Sequence, residues 1–256
     1  MDQLLIALDV ESAAKALALA DSLRVIAGGF KIGSRLFTSE GPSIVRALVD
    51  KGDRVFLDLK FHDIPNTVAQ AVAAATSLGV WMVNVHASGG THMMQAARDA
   101  AGDTAARAGA KPPLVIAVTV LTSMNDAALA EIGSAPAQTR GNPGSGIRDP
   151  GSENHGPGSV MEQVLRLAQL AQAAGLDGVV ASPQETTAIR QRCGRDFAIV
   201  TPGIRGGGAG KDDQQRTMSA AEAIAAGASY IVVGRPIIAA QDPRAAAEEI
   251  NAFTWP

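Results

Sequence analysis

Short apolar runs alternate eight times with alanine-rich segments along this chain, and this alternation constrains the fold more than any other sequence feature. Nearly all the runs are apolar and carry β-branched residues, as expected of strands covered by helices on both faces of a parallel sheet. The predicted strands are 4–9, 29–33, 55–60, 81–87, 114–121, 178–183, 198–204 and 230–235. The predicted helices are 12–26, 40–51, 65–77, 90–109, 159–174, 184–193, 219–227 and 242–252.

The length of the repeating unit favours a closed barrel. Eight strand–helix pairs over 256 residues average 256/8 = 32 residues each, which is the size of one βαβ step. We therefore expect a single α/β domain over residues 1–256, a (β/α)8 TIM barrel, with an open doubly wound sheet as the alternative. Residues 138–159 are rich in Gly, Pro and Ser and lack apolar periodicity, so we expect a flexible surface insertion there.

Charge and cysteine content argue against several classes of protein. The chain has 22 Lys and Arg against 25 Asp and Glu, a formal charge of 22 − 25 = −3, so no global attraction to nucleic acid or to an anionic membrane is expected. The single cysteine cannot form a disulfide within the chain. Neither a secretory signal nor an uninterrupted apolar span is visible. We expect a cytoplasmic protein without nucleic-acid or membrane partners.

Charged residues cluster at the ends of the first three predicted strands. Asp9 ends the first strand, Lys31 lies on the second, and Asp58 and Lys60 close the third, followed by Asp63. Asp58 and Lys60 are two apart on a strand and should share a face, and two charges in the dry layer under the helices would be costly. We expect them in the barrel mouth, where functional side chains of this fold lie. The alternative is a buried ion-pair layer that only sets the barrel register.

A second candidate feature lies after strands seven and eight, the usual place of a phosphate site in this fold. The segment 201–216 is rich in glycine, and Gly234 and Arg235 close the eighth strand. Gly234 would let the backbone approach a phosphate, and Arg235 offers a planar fork to it. Arg205 and Gln214 could reach the same anion from the loop. Simple flexibility of the loop is the alternative.

No metal site is expected from the sequence. The four histidines, at positions 62, 86, 92 and 155, lack metal-ligand spacing with the single cysteine. Motifs of serine hydrolases, P-loop proteins and dinucleotide-binding proteins are also missing.

Seven segments resemble, in order, the orotidine 5′-phosphate decarboxylase family of bacterial type. They are IALD (6–9), FKIG (30–33), DLKFHDIPNTV (58–68), VLTSM (120–124), TPGIR (201–205), DQ-x-R (213–216) and VVGRP (232–236). The resemblance spans almost the whole chain, and the Asp-x-Lys-x-x-Asp-Ile-Pro-Asn-Thr run is its most specific part. The 138–159 insertion departs from the compact bacterial pattern and leaves the geometry after strand five open.

The resemblance implies a cofactor-independent decarboxylation of orotidine 5′-monophosphate to UMP and CO₂, the last step of de novo UMP biosynthesis. It implies that Lys60 protonates the C6 carbanion within a charged network formed with Lys31, Asp58 and Asp63. It also implies a homodimer in which Asp63 and Thr67 act in the neighbouring subunit's site.

The same resemblance implies a set of substrate contacts. Asp9 and Lys31 would hold the ribose hydroxyls, Thr122 and Ser123 the pyrimidine, and the residues after strands seven and eight the phosphate. The full implied set is Asp9, Lys31, Asp58, Thr67, Thr122, Ser123, Pro202, Arg205, Gln214, Gly234 and Arg235, with Gln215 replacing Gln214 if the loop register differs by one.

Three other functions compete with this interpretation. A Mg²⁺-dependent sugar-phosphate enzyme of the same barrel superfamily would need a carboxylate where Lys31 stands. A Schiff-base enzyme would need a neutral lysine, whereas neighbouring carboxylates favour the charged ammonium. A non-catalytic sensor of nucleotide phosphates would not need four charges in the mouth.

Overall fold

The structure is a computed structural model that describes residues 2–133, 158–205 and 218–252. Within these ranges the strands are β1 Leu4–Ala7, β2 Gly29–Gly33, β3 Val55–Phe61, β4 Met82–His86, β5 Leu114–Val118, β6 Gly178–Val180, β7 Ala198–Thr201, β8 Ile204–Arg205, β9 Met218–Ser219 and β10 Tyr230–Val233. The α-helices are α1 Ala13–Leu23, α2 Ser34–Glu40, α3 Pro42–Val49, α4 Pro65–Thr76, α5 Gly90–Arg107, α6 Asp126–Glu131, α7 Val160–Ala173, α8 Thr186–Cys193, α9 Ala220–Ala225, α10 Arg235–Ile238 and α11 Pro243–Ala252.

Eight of these strands close into a parallel barrel in the order β1-β10-β7-β6-β5-β4-β3-β2. The barrel closes between β1 and β10, where Leu5 pairs with Val232. The prediction of a TIM barrel rather than an open sheet is therefore confirmed. The remaining two strands, β8 and β9, form a separate two-stranded parallel sheet beside the barrel mouth.

Local chemistry explains where several helices begin. The side chain of Ser12 accepts a hydrogen bond from the backbone N–H of Lys15 and so caps α1, and Ser159 caps α7 in the same way. Pro42 and Pro65 open α3 and α4, where proline costs no hydrogen bond. These residues therefore set where four of the helices begin.

The apolar residues form two cores separated by the strands. The larger lies between the barrel and its helices. The smaller fills the barrel interior with Leu5, Phe56, Met82, Ile116 and Val200 among its members. Since side chains alternate across a strand, residues two positions past these inward-facing ones approach the mouth, and this places Asp58 and Asn84 at its base.

Some predicted boundaries were wrong. The predicted helix 40–51 begins two residues later, at Pro42, because Glu40 ends a separate helix, α2, and Gly41 breaks the chain with φ of 66°. The eighth strand ends at Val233 rather than 235, since Arg235 starts the short helix α10. Among the described residues, none of the helices has the length and apolar character needed to cross a membrane. Nearly all of the predicted 138–159 insertion lies outside the described residues.

Candidate active site

Four side chains at the carboxyl ends of β1, β2 and β3 form one continuous chain of opposite charges. Lys31 Nζ lies 3.0 Å from Asp9 Oδ1 and 3.5 Å from Asp58 Oδ2. Lys60 Nζ lies 2.6 Å from Asp58 Oδ1. The order is therefore Asp9–Lys31–Asp58–Lys60, and the predicted grouping of these residues in the barrel mouth is what the structure shows.

Asp58 is the central group of this chain. Burial of its side chain, which is 13% exposed, favours the neutral acid, but the two lysines oppose it more strongly. The positive charges of Lys31 and Lys60, with hydrogen bonds from Lys60 and Asn84, hold the pKa of Asp58 below its usual value. Asp58 is thus a carboxylate at neutral pH, and it supplies a fixed anionic partner to both ammonium groups.

A β-bulge brings Asp58 and Lys60 together, although regular strand alternation was expected to do so. Leu57 of β3 pairs with Val83, but the next pair joins Phe61 to Val85, so β3 carries two extra residues. Lys60 lies inside this bulge with φ of 55°. The predicted proximity of the two charges is correct, but the reason for it is the bulge.

The charged chain of side chains Asp9–Lys31–Asp58–Lys60 lines one wall of an open cleft of about 320 Å³. Its floor is apolar and is formed by barrel-interior side chains, among them Phe56, Val180, Val200 and Val232. Such a floor excludes water from below and strengthens the electrostatic effect of the charges above it. The cleft therefore places an apolar surface next to a positioned ammonium group.

Several other residues predicted to contact a ligand line the same cleft. Pro202 follows β7, and Gly234 and Arg235 follow β10. Thr122, in the turn after β5, also lines the cleft, whereas its neighbour Ser123 is exposed and is not among the lining residues. The same cleft is thus lined by two lysines and an arginine.

Asp63 and Thr67 do not reach the cleft of their own chain. The Asp63 carboxylate accepts a hydrogen bond from the backbone N–H of Ile64 at 2.6 Å and, among the described residues, forms no ion pair. All six residues from 62 to 67 are exposed, and Ile64 is 66% exposed. These residues form an exposed rim, which we call the β3–α4 rim, beside the cleft.

Part of the predicted phosphate site lies outside the described residues. Gln214 and Gln215 belong to this part, and of Arg205 only the backbone, in β8, is described. No group of three or more His, Cys, Asp and Glu side chains within the described ranges could hold a metal ion.

Two positions that shape the site were not predicted from the sequence. Asn84, which is fully buried, contacts both Asp58 and the backbone of Lys60. The detectable signal was a polar amide at an inward-facing position of an otherwise apolar strand. At Gly33, a Cβ atom would lie 2.9 Å from Lys31 Nζ and 3.2 Å from Asp9 Oδ1, so glycine leaves room for that ion pair.

This chain is similar to known proteins over almost its whole length. Residues 2–140 and 147–250 match the model of the orotidine 5′-phosphate decarboxylase / HUMPS family. The chain is 50% identical over 252 residues to an orotidine 5′-phosphate decarboxylase of Moorella thermoacetica, covering 98% of this chain and 91% of the relative. It is 51% identical to the enzyme of the same name from Alkalilimnicola ehrlichii over 244 residues, 95% of this chain and 92% of that one.

The fold has similar counterparts among solved structures. The crystal structure of orotidine 5′-phosphate decarboxylase from Lactobacillus acidophilus matches with a TM-score of 0.80 and 34% identity, over 98% of both chains. The barrel, its cleft and the charged chain therefore occur in a protein whose relatives share both sequence and architecture.

Proposed function

From its membership of the orotidine 5′-phosphate decarboxylase / HUMPS family, which makes this chain an enzyme of the carboxy-lyase class, we propose its reaction. It decarboxylates orotidine 5′-monophosphate to UMP, with Lys60 as the proton donor. The observation that carries the proposal is the ammonium of Lys60, which lines the cleft and lies 2.6 Å from a buried carboxylate. The proposed role of each group follows from this geometry.

The chemical difficulty is the charge left on carbon. When the bond from C6 to the carboxylate breaks, CO₂ departs and the electron pair stays on C6, where the pyrimidine ring cannot delocalise it. Lys60 Nζ then transfers a proton to C6, giving UMP and a neutral amine that solvent reprotonates. One proton is consumed for each CO₂ released. A positioned cation stabilises such a charge as it develops.

Lys31 and Asp9 would hold the ribose beside the reacting ring. The Lys31 side chain is 10% exposed and is fixed between two carboxylates, whereas Asp9 is 47% exposed and its free oxygen can accept a hydroxyl hydrogen bond. The Lys31 ammonium also occupies the space between the two carboxylates where a cation would bind. We therefore infer that the reaction needs no metal ion or other cofactor.

The residues that follow β7 and β10 would hold the phosphate. Gly234, Arg235 and Pro202 line the same cleft as Lys60, and a planar guanidinium can donate two parallel hydrogen bonds to phosphate oxygens. We propose that Arg205 and Gln214 add to this site, that Thr122 and Ser123 contact the pyrimidine, and that phosphate binding far from C6 contributes to transition-state stabilisation.

A homodimer would complete the site. The exposed β3–α4 rim presents Ile64, Asp63 and Thr67 to solvent next to the cleft, and an apolar side chain exposed beside a charged group fits an interface between two copies. We propose that Asp63 and Thr67 enter the partner's cleft and that Asp63 there extends the chain of charges.

The function is tested by following loss of orotate absorbance with orotidine 5′-monophosphate and purified enzyme. The expected result is turnover that EDTA does not change. Turnover that EDTA abolishes and Mg²⁺ restores would contradict the metal-free chemistry. No decarboxylation under either condition would contradict the proposed function.

The shared site is tested by subunit mixing. Lys60→Ala and Asp63→Ala are each expected to be inactive as homodimers. In a mixed dimer one site carries both substitutions and the other carries neither, so activity should return in one of every two sites. If Asp63 acts within its own chain, each site of the mixed dimer keeps one substitution and activity does not return.

A further inference from the structure

We propose that Asn84 is a positioning residue for this reaction: its side-chain amide holds the backbone of Lys60 and the carboxylate of Asp58 in the arrangement that aims the Lys60 ammonium into the cleft. The inference rests on the proposed function. It assigns a role to a β4 residue that contacts two groups of the charged chain.

The first contact fills a gap in the barrel ladder. Between the pairs Leu57–Val83 and Phe61–Val85, three residues of β3 face the single residue Asn84 of β4. The backbone N–H of Lys60 donates instead to Asn84 Oδ1 at 2.8 Å. The amide of Asn84 thus replaces the missing ladder partner, and a backbone donor at the base of the cleft is satisfied.

The contact also holds an unfavourable backbone conformation. Lys60, with φ of 55°, is the one non-glycine residue of positive φ among the residues that the structure describes. Such conformations persist where the surroundings enforce them, and they cluster at functional sites. The bond to Asn84 Oδ1 fixes the direction of the Lys60 N–H, and so it favours this left-handed conformation over an extended one.

The second contact orients the carboxylate. Asn84 Nδ2 donates to Asp58 Oδ1 at 2.7 Å, the same oxygen that lies 2.6 Å from Lys60 Nζ. One planar amide therefore joins the backbone of Lys60 to Asp58, which is the ion-pair partner of the Lys60 ammonium. The amide offers a donor and an acceptor on the two ends of one small planar group.

Asn84 acts through its neighbours and not on a ligand. Its side chain is fully buried, and it is not among the residues that line the cleft. Loss of the amide should therefore change the geometry of Lys60 and leave nucleotide contacts in place. The charged or titratable groups around position 84 are Asp58, Lys60, Lys31 and His86. Burial lowers the pKa of His86, and the charges of His62 and Lys60 lower it further.

The test compares Asn84→Ala and Asn84→Asp with wild type. Because a displacement of about 1 Å can cost about a hundredfold in rate, we expect kcat of Asn84→Ala to fall about 100-fold, while affinity for UMP changes less than about threefold. Thr76→Val is the matched control, since it removes a buried hydroxyl that donates to Val72 O within α4, away from the cleft. Its kcat should equal that of wild type.

Asn84→Asp keeps the shape and the acceptor for the Lys60 N–H but faces Asp58 with a second carboxylate. Two carboxylates in contact share a proton at a raised pKa. When that proton binds, it restores a donor toward Asp58, so kcat of the variant should rise as pH falls, relative to wild type at each pH. A purely structural role for Asn84 would lower stability without producing this pH-dependent recovery.

Two results would overturn the inference. One is kcat within about threefold of wild type in folded Asn84→Ala, and the other is a pH profile of Asn84→Asp parallel to that of wild type. Crystal structures of Asn84→Ala give a readout independent of turnover: Lys60 should leave the left-handed region and lose contact with Asp58. If wild type itself fails to decarboxylate the nucleotide, the proposed function fails, whereas an unchanged Lys60 in the variant structure refutes the positioning role alone.

Discussion

Replacing Asp58 with asparagine removes the charge at the centre of the chain and keeps its shape. The carboxylate lies 2.6 Å from Lys60 Nζ and 3.5 Å from Lys31 Nζ. At an effective dielectric constant near 20, these separations correspond to about 6 and about 5 kcal/mol of Coulomb attraction before desolvation is counted. The cost of burying the carboxylate offsets much of this, so the attraction is an upper bound on the loss.

The net loss is set by what the two ammonium groups can do without Asp58. Breaking a buried pair typically costs about 3–5 kcal/mol. Here Lys31 keeps Asp9 as a partner, and the Lys60 side chain is 35% exposed and can reach water. We therefore expect Asp58→Asn to lower the free energy of unfolding by about 3 kcal/mol, at the lower end of that range.

Urea denaturation at neutral pH measures this loss, with Asp9→Asn as the matched control. Asp9 also pairs with Lys31, but its side chain is 47% exposed, so its replacement should cost less than about 1 kcal/mol. Equal losses for the two variants would refute the reasoning, because burial of Asp58 would then make no difference.

The pH dependence has a definite sign. Because the folded-state pKa of Asp58 lies below its usual value, its contribution to stability is complete above the unfolded pKa of about 3.9 and is lost as pH falls through the folded pKa. The difference in unfolding free energy between wild type and Asp58→Asn should therefore shrink on acidification below about pH 4. A difference that grows in acid would contradict the assigned direction.

Three further predictions concern other parts of the barrel. Gly33→Ala should lower kcat by about tenfold, measured at saturating substrate, because the added Cβ would crowd the Lys31–Asp9 pair; unchanged kcat would mean that the pair has no role in turnover. Arg190→Met should lower the free energy of unfolding, measured in urea, by about 2–3 kcal/mol and leave kcat unchanged. The Arg190 guanidinium donates to four backbone carbonyl groups and to Ser229 Oγ at the amino-terminal side of the barrel. A loss of kcat without a loss of stability would contradict this prediction. Arg235→Ala should reduce kcat/KM for the phosphorylated substrate by at least about 100-fold and hardly affect the nucleoside that lacks phosphate; equal losses on both would make Arg235 structural.

The strand ends explain why much of this site could be predicted from the sequence. Asp9, Lys31 and Asp58 lie on or directly after apolar strands, and parallel closure brings all strand ends to one rim. Lys60 also lies at this rim, but the two-residue alternation of a strand does not explain its position. Its bulge depends on how β3 pairs with β4, and pairing register is a tertiary property that a single strand does not encode.

Asn84 and Gly33 are two site residues that the sequence did not predict. Neither belongs to a charged motif, and each matters through what it lies against: Asn84 through two hydrogen bonds, and Gly33 through the space that its missing Cβ leaves. The helix break at Gly41 was also missed, although Gly followed by Pro42 is a local signal for a helix boundary. Side-chain contacts between neighbouring strands could not be predicted from sequence patterns, whereas this helix boundary could have been.

The role of Lys60 is tested most directly by Lys60→Ala, with turnover of orotidine 5′-monophosphate and binding of UMP measured on the same preparation. If the Lys60 ammonium supplies the proton to C6, turnover falls by more than about a thousandfold, while UMP affinity stays within about tenfold of wild type, because the remaining contacts of the cleft are intact. Turnover within about tenfold of wild type in a folded Lys60→Ala enzyme would contradict the assignment of Lys60 as the proton donor.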